Sequence, residues 1–206
     1  MSRIAALDGG TYFHHFTLTD PAFAPFFDRV LPLRNFTADD LAGVDTLFVS
    51  CRANPELLEA KADVLQGFLR AGKRLVAMGE TCPKRWLPGI TFASVETNFW
   101  WWLEPGADSG LRVDSPEHPM FDHFGLRDAT WHYHGQFSPP PGASSLISCR
   151  EGGSILYEDT ISWPGTLIVT SLDPCYHHGS FFMPNATRFL GGLLRYLTSD
   201  HKGNSS

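Results

Sequence analysis

Residues 46–78 hold a strand, a helix and a second strand in direct succession, and this order restricts the fold more than any other stretch of the chain. Thr46-Leu-Phe-Val-Ser50 is apolar without alternation, the pattern of a strand covered on both faces. Asn54 is placed to cap a helix, Pro55 suits its first position, and Gly72 follows its end. Leu57, Leu58, Ala62, Leu65, Phe68 and Leu69 recur at helical spacing and give that helix one apolar face. Lys73–Met78 closes the unit as another buried strand. Two such strands joined by a helix are parallel, with a right-handed crossover. Ile4–Leu7 and Val30–Leu33 add two short apolar runs, with Phe23–Arg29 read as helical before the second. The chain up to about residue 80 is therefore expected to form an α/β, doubly wound, mostly parallel sheet.

Beyond Pro83 the regular alternation stops. Trp86-Leu-Pro-Gly89, Asn98-Phe-Trp-Trp-Trp-Leu103 and Glu104-Pro-Gly106 lead into an irregular, β-rich insertion. Trp131–Phe137 and Ser145–Cys149 read as strands, and Gly152-Gly153 before Ser154–Tyr157 as a hairpin. Thr166–Ser171 is a further buried strand, and Ala186–Leu197 a closing helix with Phe189, Leu190, Leu193, Leu194 and Leu197 inward. With 206 residues, 43% of them apolar, the chain fills one core and is short for two. The expectation is a single domain over residues 1–200 and a polar, flexible tail over 201–206.

Several partner classes are excluded at this level. A formal charge of −6 and the lack of Lys/Arg runs exclude a nucleic-acid surface, which calls for concentrated positive charge. No apolar stretch approaches the roughly 20 residues that span a bilayer, and the start of the chain reads as a first strand and not as a signal peptide. Cys51, Cys82, Cys149 and Cys175 show no Cys-x-x-Cys spacing, as expected of reduced thiols in a cytoplasmic protein. A small polar molecule is the partner that remains.

Arg74-Leu-Val-Ala-Met-Gly-Glu-Thr-Cys-Pro83 is an apolar run ending in a glycine turn, which is how a catalytic elbow is built at the carboxyl edge of a parallel sheet. With His118-Pro-Met120, Asp128-Ala-Thr-Trp131 and the late strand ending Leu172-Asp-Pro174, the chain resembles the class I glutamine amidotransferase-like proteins of flavodoxin-like fold. Within them it is most similar to the trehalose-utilisation (ThuA-like) branch. Enzymes of that family place Cys at the tip of a Gly-x-Cys elbow and a His-x-Glu pair after the late strand. Laid on this chain, the resemblance puts Thr81 at the nucleophile position and Cys82 one residue on. Asp173 then stands for the His and Cys175 for the Glu. It thus implies a scaffold without glutaminase chemistry, since a hydroxyl needs an adjacent base to become a nucleophile. The link to carbohydrate also comes from this resemblance.

Ligands of open parallel sheets sit beyond the carboxyl ends of the strands. The segments that reach that edge carry Asp8, Tyr12, Arg52, Glu80, Thr81, Asp173, His177 and His178. His132 and His134, if they alternate on a strand, face the same side about 7 Å apart. Glu80, Thr81 and Asp173 are the candidate catalytic residues; Asp8, Tyr12, Arg52, His132, His134, His177 and His178 are candidate ligand contacts. His132, His134 and His178, or His177 in its place, together with Asp173 could also hold a divalent metal such as zinc, manganese or iron, as in a metal-dependent enzyme of sugar metabolism. No other cofactor is implied. Against these stand plainer uses: strand histidines bonded to neighbouring loops, Glu80 stabilising a helix start, and Arg52 paired with Glu80 or Asp8. Phe99–Trp102 serves the core or a contact between copies in a homo-oligomer, or offers a flat platform to a sugar ring.

Overall fold

A computed structural model describes residues 2–96, 103–181 and 183–199. Among them the strands are β1 (Ile4–Asp8), β2 (Arg29–Pro32), β3 (Thr46–Val49), β4 (Arg74–Ala77), β5 (Thr91–Ser94), β6 (Arg112–Val113), β7 (Gly135–Ser138), β8 (Ser144–Ser148), β9 (Ser154–Asp159) and β10 (Thr166–Thr170). The helices are α1 (Tyr12–Thr19), α2 (Pro55–Ala60), α3 (Ala62–Arg70), α4 (Pro174–Gly179) and α5 (Pro184–Thr198).

All ten strands share one sheet, with β2-β1-β3-β4-β10-β9-β7-β5 along its main path. From β2 to β10 the neighbours are parallel, and β9, β7 and β5 continue antiparallel. The five parallel strands have the flavodoxin-like order, with β10 as the fifth strand and everything from β5 to β9 inserted before it. β6 and β8 lie off the main path, and β8 forms the expected hairpin with β9.

The uniform apolarity of the parallel strands follows from burial on both faces. Ile4, Ala6, Phe48, Val76 and Ile168 face one layer, packed with Phe189, Leu190, Leu193, Leu194 and Leu197 of α5. Ala5, Leu7, Leu47, Val49, Leu75, Ala77, Leu167 and Val169 face the other, with Leu58 of α2 and Leu65, Phe68 and Leu69 of α3. Each fully buried Leu or Phe contributes roughly 1.5–3 kcal/mol relative to exposure, so these two layers dominate the stability of the sheet.

Three local expectations are corrected. The helix after Asn54 breaks at Lys61, which ends α2 and begins α3. The Lys61 ammonium donates to the Phe36 carbonyl instead of lying along the helix. Phe23–Arg29 contains only a single turn at Ala24–Phe26, with Pro25 removing a backbone donor, and the helix of this region is α1, capped by Thr11. Trp131–His134 is not a strand, because β7 begins at Gly135. There the Phe92 ring and the Ala93 carbonyl leave no room for a β-carbon. The residues after β10 form α4, which starts at Pro174. Phe99–Trp102, Phe182 and the tail 201–206 lie outside the described residues. No helix among the described residues is long and apolar enough to cross a membrane.

Candidate functional site

The exits of β3, β4 and β10 are locked together through backbone atoms. The Arg52 N–H donates to the Gly79 carbonyl at 2.9 Å, and the Gly79 N–H donates to the Leu172 carbonyl at 2.9 Å. Only glycine fits between them, since a β-carbon at residue 79 would lie 2.4 Å from the Ser171 carbonyl oxygen. The exit of β1 is joined through His14. Its Nδ1 accepts from the Gly9 N–H at 3.2 Å, which leaves Nε2–H to donate to the Cys51 carbonyl at 2.6 Å. Burial lowers the pKa of His14, so the ring remains the neutral linker this pattern requires.

Four side chains converge on this lock. Asp173 is fully buried. Its Oδ2 accepts from Arg52 Nε at 3.0 Å and Nη2 at 2.8 Å, and its Oδ1 accepts from Trp131 Nε1 at 3.2 Å. Arg52 Nη2 also reaches Glu80 Oε2 at 2.9 Å, and the guanidinium lies 3.8 Å from the centre of the Tyr176 ring. His134 stands between the two carboxylates, with Nδ1 3.5 Å from Glu80 Oε1 and Nε2 3.8 Å from Asp173 Oδ2. Arg52 and Glu80 both adopt left-handed backbone angles, with φ of 58° and 60°. Such conformations are costly for residues with a β-carbon and collect at functional sites.

Behind this group His177 Nε2 lies 3.1 Å from Asp173 Oδ1 and 3.2 Å from His132 Nε2. Burial alone would raise the Asp173 pKa, but the imidazoles of His134 and His177 and the Arg52 charge overcome it and hold the carboxyl well below the usual range. His132 moves the other way. Burial and then the neighbouring His177 lower its pKa to about 4, so it is neutral near pH 7.

Of the residues singled out in the sequence, Arg52, Glu80, His132, His134, Asp173 and His177 are thus brought together. Thr81 is not: it is buried, and its hydroxyl donates to the Met78 carbonyl at 2.6 Å. The exposed, left-handed positions of the elbow belong to Glu80 and, two residues on, to Cys82, with φ of 60° and 47°. His178 also turns away, with Nε2 3.2 Å from Asp20 Oδ2 and Nδ1 3.0 Å from Thr187 Oγ1. The set His132, His134 and His178 therefore does not surround a common point, because His177 and His178 leave α4 in different directions. The Asp8 carboxylate accepts from the Gly10 N–H and its backbone carbonyl from the Leu33 N–H, and Tyr12 is exposed on α1 beside Phe16. Sequence reasoning missed Trp131 and Tyr176 as neighbours of the charged group. The available signal was the indole N–H, which needs a partner when a tryptophan is buried.

In front of Glu80 and His134 opens a cleft of about 460 Å³, lined also by Cys82, Lys84, Ser94 and Ser171, with Phe92 and Phe137 as apolar walls. Two sets of nitrogen and oxygen donors fall within 4.8 Å of one another, Glu80–His134–Asp173 and His132–Asp173–His177. In the first, Arg52 already bridges both carboxylates and fills the place a cation would take.

Comparison with solved structures identifies the architecture. A glutamine amidotransferase from Thermotoga maritima superposes with a TM-score of 0.60 at 12% identity, over 96% of this chain and 99% of that one. A GMP synthase subunit from Thermoplasma acidophilum gives 0.57 at 14% identity, over 95% and 96%. The chain has the class I glutamine amidotransferase-like fold. A ThuA-like protein from Bacteroides uniformis shares this fold, with a TM-score of 0.56 at 10% identity over 98% of this chain and 93% of the other. At these identities the likeness concerns the fold alone. No family model and no curated protein matches the sequence.

Proposed function

We propose that this amidotransferase-like protein binds a small, polyhydroxylated, carbohydrate-related molecule in the cleft before Glu80 and His134, and that it does not hydrolyse glutamine. The observation that carries the reading is the internal use of Arg52. Its guanidinium is bonded to both Asp173 and Glu80, so it is not available to grip the carboxylate of an amino acid. Glu80, His134 and Ser94 offer acceptors and donors to hydroxyl groups, and the half-buried Phe92 offers apolar surface to a sugar ring. Lys84 at the lip would take the acid group of a sugar acid.

The elbow speaks against glutaminase chemistry. Glu80 follows the elbow glycine, and the exposed thiol, Cys82, sits past the tip at a second left-handed position on the cleft wall. The imidazole in the cleft, His134, faces Glu80 and Asp173. Cys51 and Cys175 are fully buried, and burial pushes the Cys51 thiol well above its ordinary pKa, the reverse of what a nucleophile needs.

The test is a thermal-unfolding screen of neutral sugars and sugar acids, with glutamine as a control. A ligand that binds only the folded state raises the midpoint, by about 2.7 kcal/mol of stability at 100 times its dissociation constant. At least one sugar is expected to do so with the wild type and to lose most of the effect with Glu80→Gln. A flat response across the panel, or ammonia release from glutamine, would refute the reading.

A further inference from the structure

We propose that His132, Asp173 and His177 form a buried, three-ligand binding site for one zinc-class divalent cation. This site adjoins the ligand cleft without lining it, because none of its three residues belongs to the cleft wall.

The geometry begins with three donor atoms from two segments. His132 comes from the irregular stretch before β7, and Asp173 and His177 sit four residues apart at the start of α4. His177 Nε2 lies 3.2 Å from His132 Nε2 and 3.1 Å from Asp173 Oδ1, and all three atoms fall within 4.8 Å of one another. A tetrahedral ion with bonds of about 2.0–2.1 Å sets neighbouring ligand atoms roughly 3.3 Å apart, so these side chains already stand at ligand spacing.

Hydrogen bonding satisfies this arrangement poorly. His177 Nε2 faces both an imidazole nitrogen and a carboxylate oxygen, yet it can carry only one hydrogen. If that hydrogen goes to Asp173, His132 must share it; if His132 donates instead, a nitrogen lone pair points at the carboxylate. A cation accepts all three lone pairs at once. The charge balance agrees, since Arg52 offsets only one of the two carboxylates it bridges, Asp173 and Glu80.

The donor types select the ion. Two imidazoles and one carboxylate suit zinc and its first-row neighbours and not magnesium or calcium, which prefer oxygen throughout. Trp131 Nε1 and the Arg52 guanidinium hold the Asp173 carboxylate in one orientation, the task usually given to groups just outside a metal's ligands. Asp173 and His177 are fully buried and His132 nearly so, which shields the ion from bulk solvent, and three protein ligands leave the fourth position of a tetrahedral ion to a water molecule. The ion would pin residues 131–134 to α4 and so fix His134 at the edge of the cleft.

The experiment uses the full chain purified without a histidine tag. Elemental analysis is expected to find about one zinc per chain, and protein stripped with a chelator should rebind Zn²⁺ and give a visible tetrahedral spectrum with Co²⁺. His132→Ala and His177→Ala should each weaken Zn²⁺ binding by about 100-fold or more, while His178→Ala keeps wild-type affinity. Should His177→Ala fail to fold, His132→Gln, judged folded by circular dichroism, carries the test. Stripped wild type that does not bind added Zn²⁺, or a folded His132 variant that binds it as tightly as wild type, overturns the proposal. Either result would leave the response of the cleft to sugars, read through Glu80, untouched.

Discussion

Replacing Arg52 with Met is expected to cost about 3–5 kcal/mol of folding stability, because it removes one partner of a buried ion pair and strands the other. Asp173 has no exposure, and Arg52 makes two hydrogen bonds to its Oδ2. The variant also leaves Glu80 without its 2.9 Å partner. Arg52→Lys should recover only part of the loss, since an ammonium cannot make two parallel bonds to one carboxylate and stack on Tyr176 as well. Urea unfolding measures both variants. The Asp173 carboxylate, held down by His134, His177 and Arg52, gives a pH dependence of known sign. Asp173 is held below its unfolded pKa, so its contribution is complete above about pH 4 and is lost as the pH falls below that. Wild type should therefore lose stability steeply in acid and Arg52→Met more gently. A loss under about 1 kcal/mol for Arg52→Met would mean that the pair is no more than an exposed surface contact.

Gly79→Ala is the second large effect, and it acts through space and not through backbone angle. The added β-carbon would meet the carbonyl oxygens of Ser171 at 2.4 Å and Leu172 at 2.8 Å, and neither belongs to a side chain that could swing aside. Overpacking of this kind costs about 1–3 kcal/mol or more. Here the exits of β4 and β10 must separate, so the variant should also lose the ligand response. Gly67→Ala is the matched control: it lies in α3 with nothing within 4 Å of the new carbon, and a helix interior gains roughly 0.5–1 kcal/mol from this change. Calorimetric unfolding of the two variants should show opposite signs. Equal, small effects would show that the elbow and the late strand are not in close backbone contact.

The parallel half of the fold was legible because its signals are local. Thr46–Val49 and Arg74–Ala77 are apolar on both faces, and Asn54 accepts from the Glu56 and Leu57 N–H groups as a cap should. The stretch Trp131–His134 misled because it alternates like a strand, while its conformation is set by distant atoms. Trp131 reaches Asp173, 42 residues away, and Gly135 is confined by Phe92. The neighbouring histidines of α4 show the same limit. Sequence could place His177 and His178 at the sheet edge, but only the packing of α4 against α1 and α5 decides which ring meets Asp173 and which meets Asp20. The elbow was found by its glycine, whereas the choice of Glu80 over Thr81 depends on one backbone angle, the φ of 60° at Glu80, that no residue pattern specifies.

Most depends on whether the polar group at the strand exits forms one ligand cleft with His134 at its edge. Imidazole proton resonances, assigned with His134→Gln and His178→Ala, test this most directly during titration with the most stabilising sugar. The His134 signals are expected to shift with ligand concentration, while those of His178, held between Asp20 and Thr187, stay in place. Shifts confined to His178, with His134 unmoved, would contradict the proposed cleft.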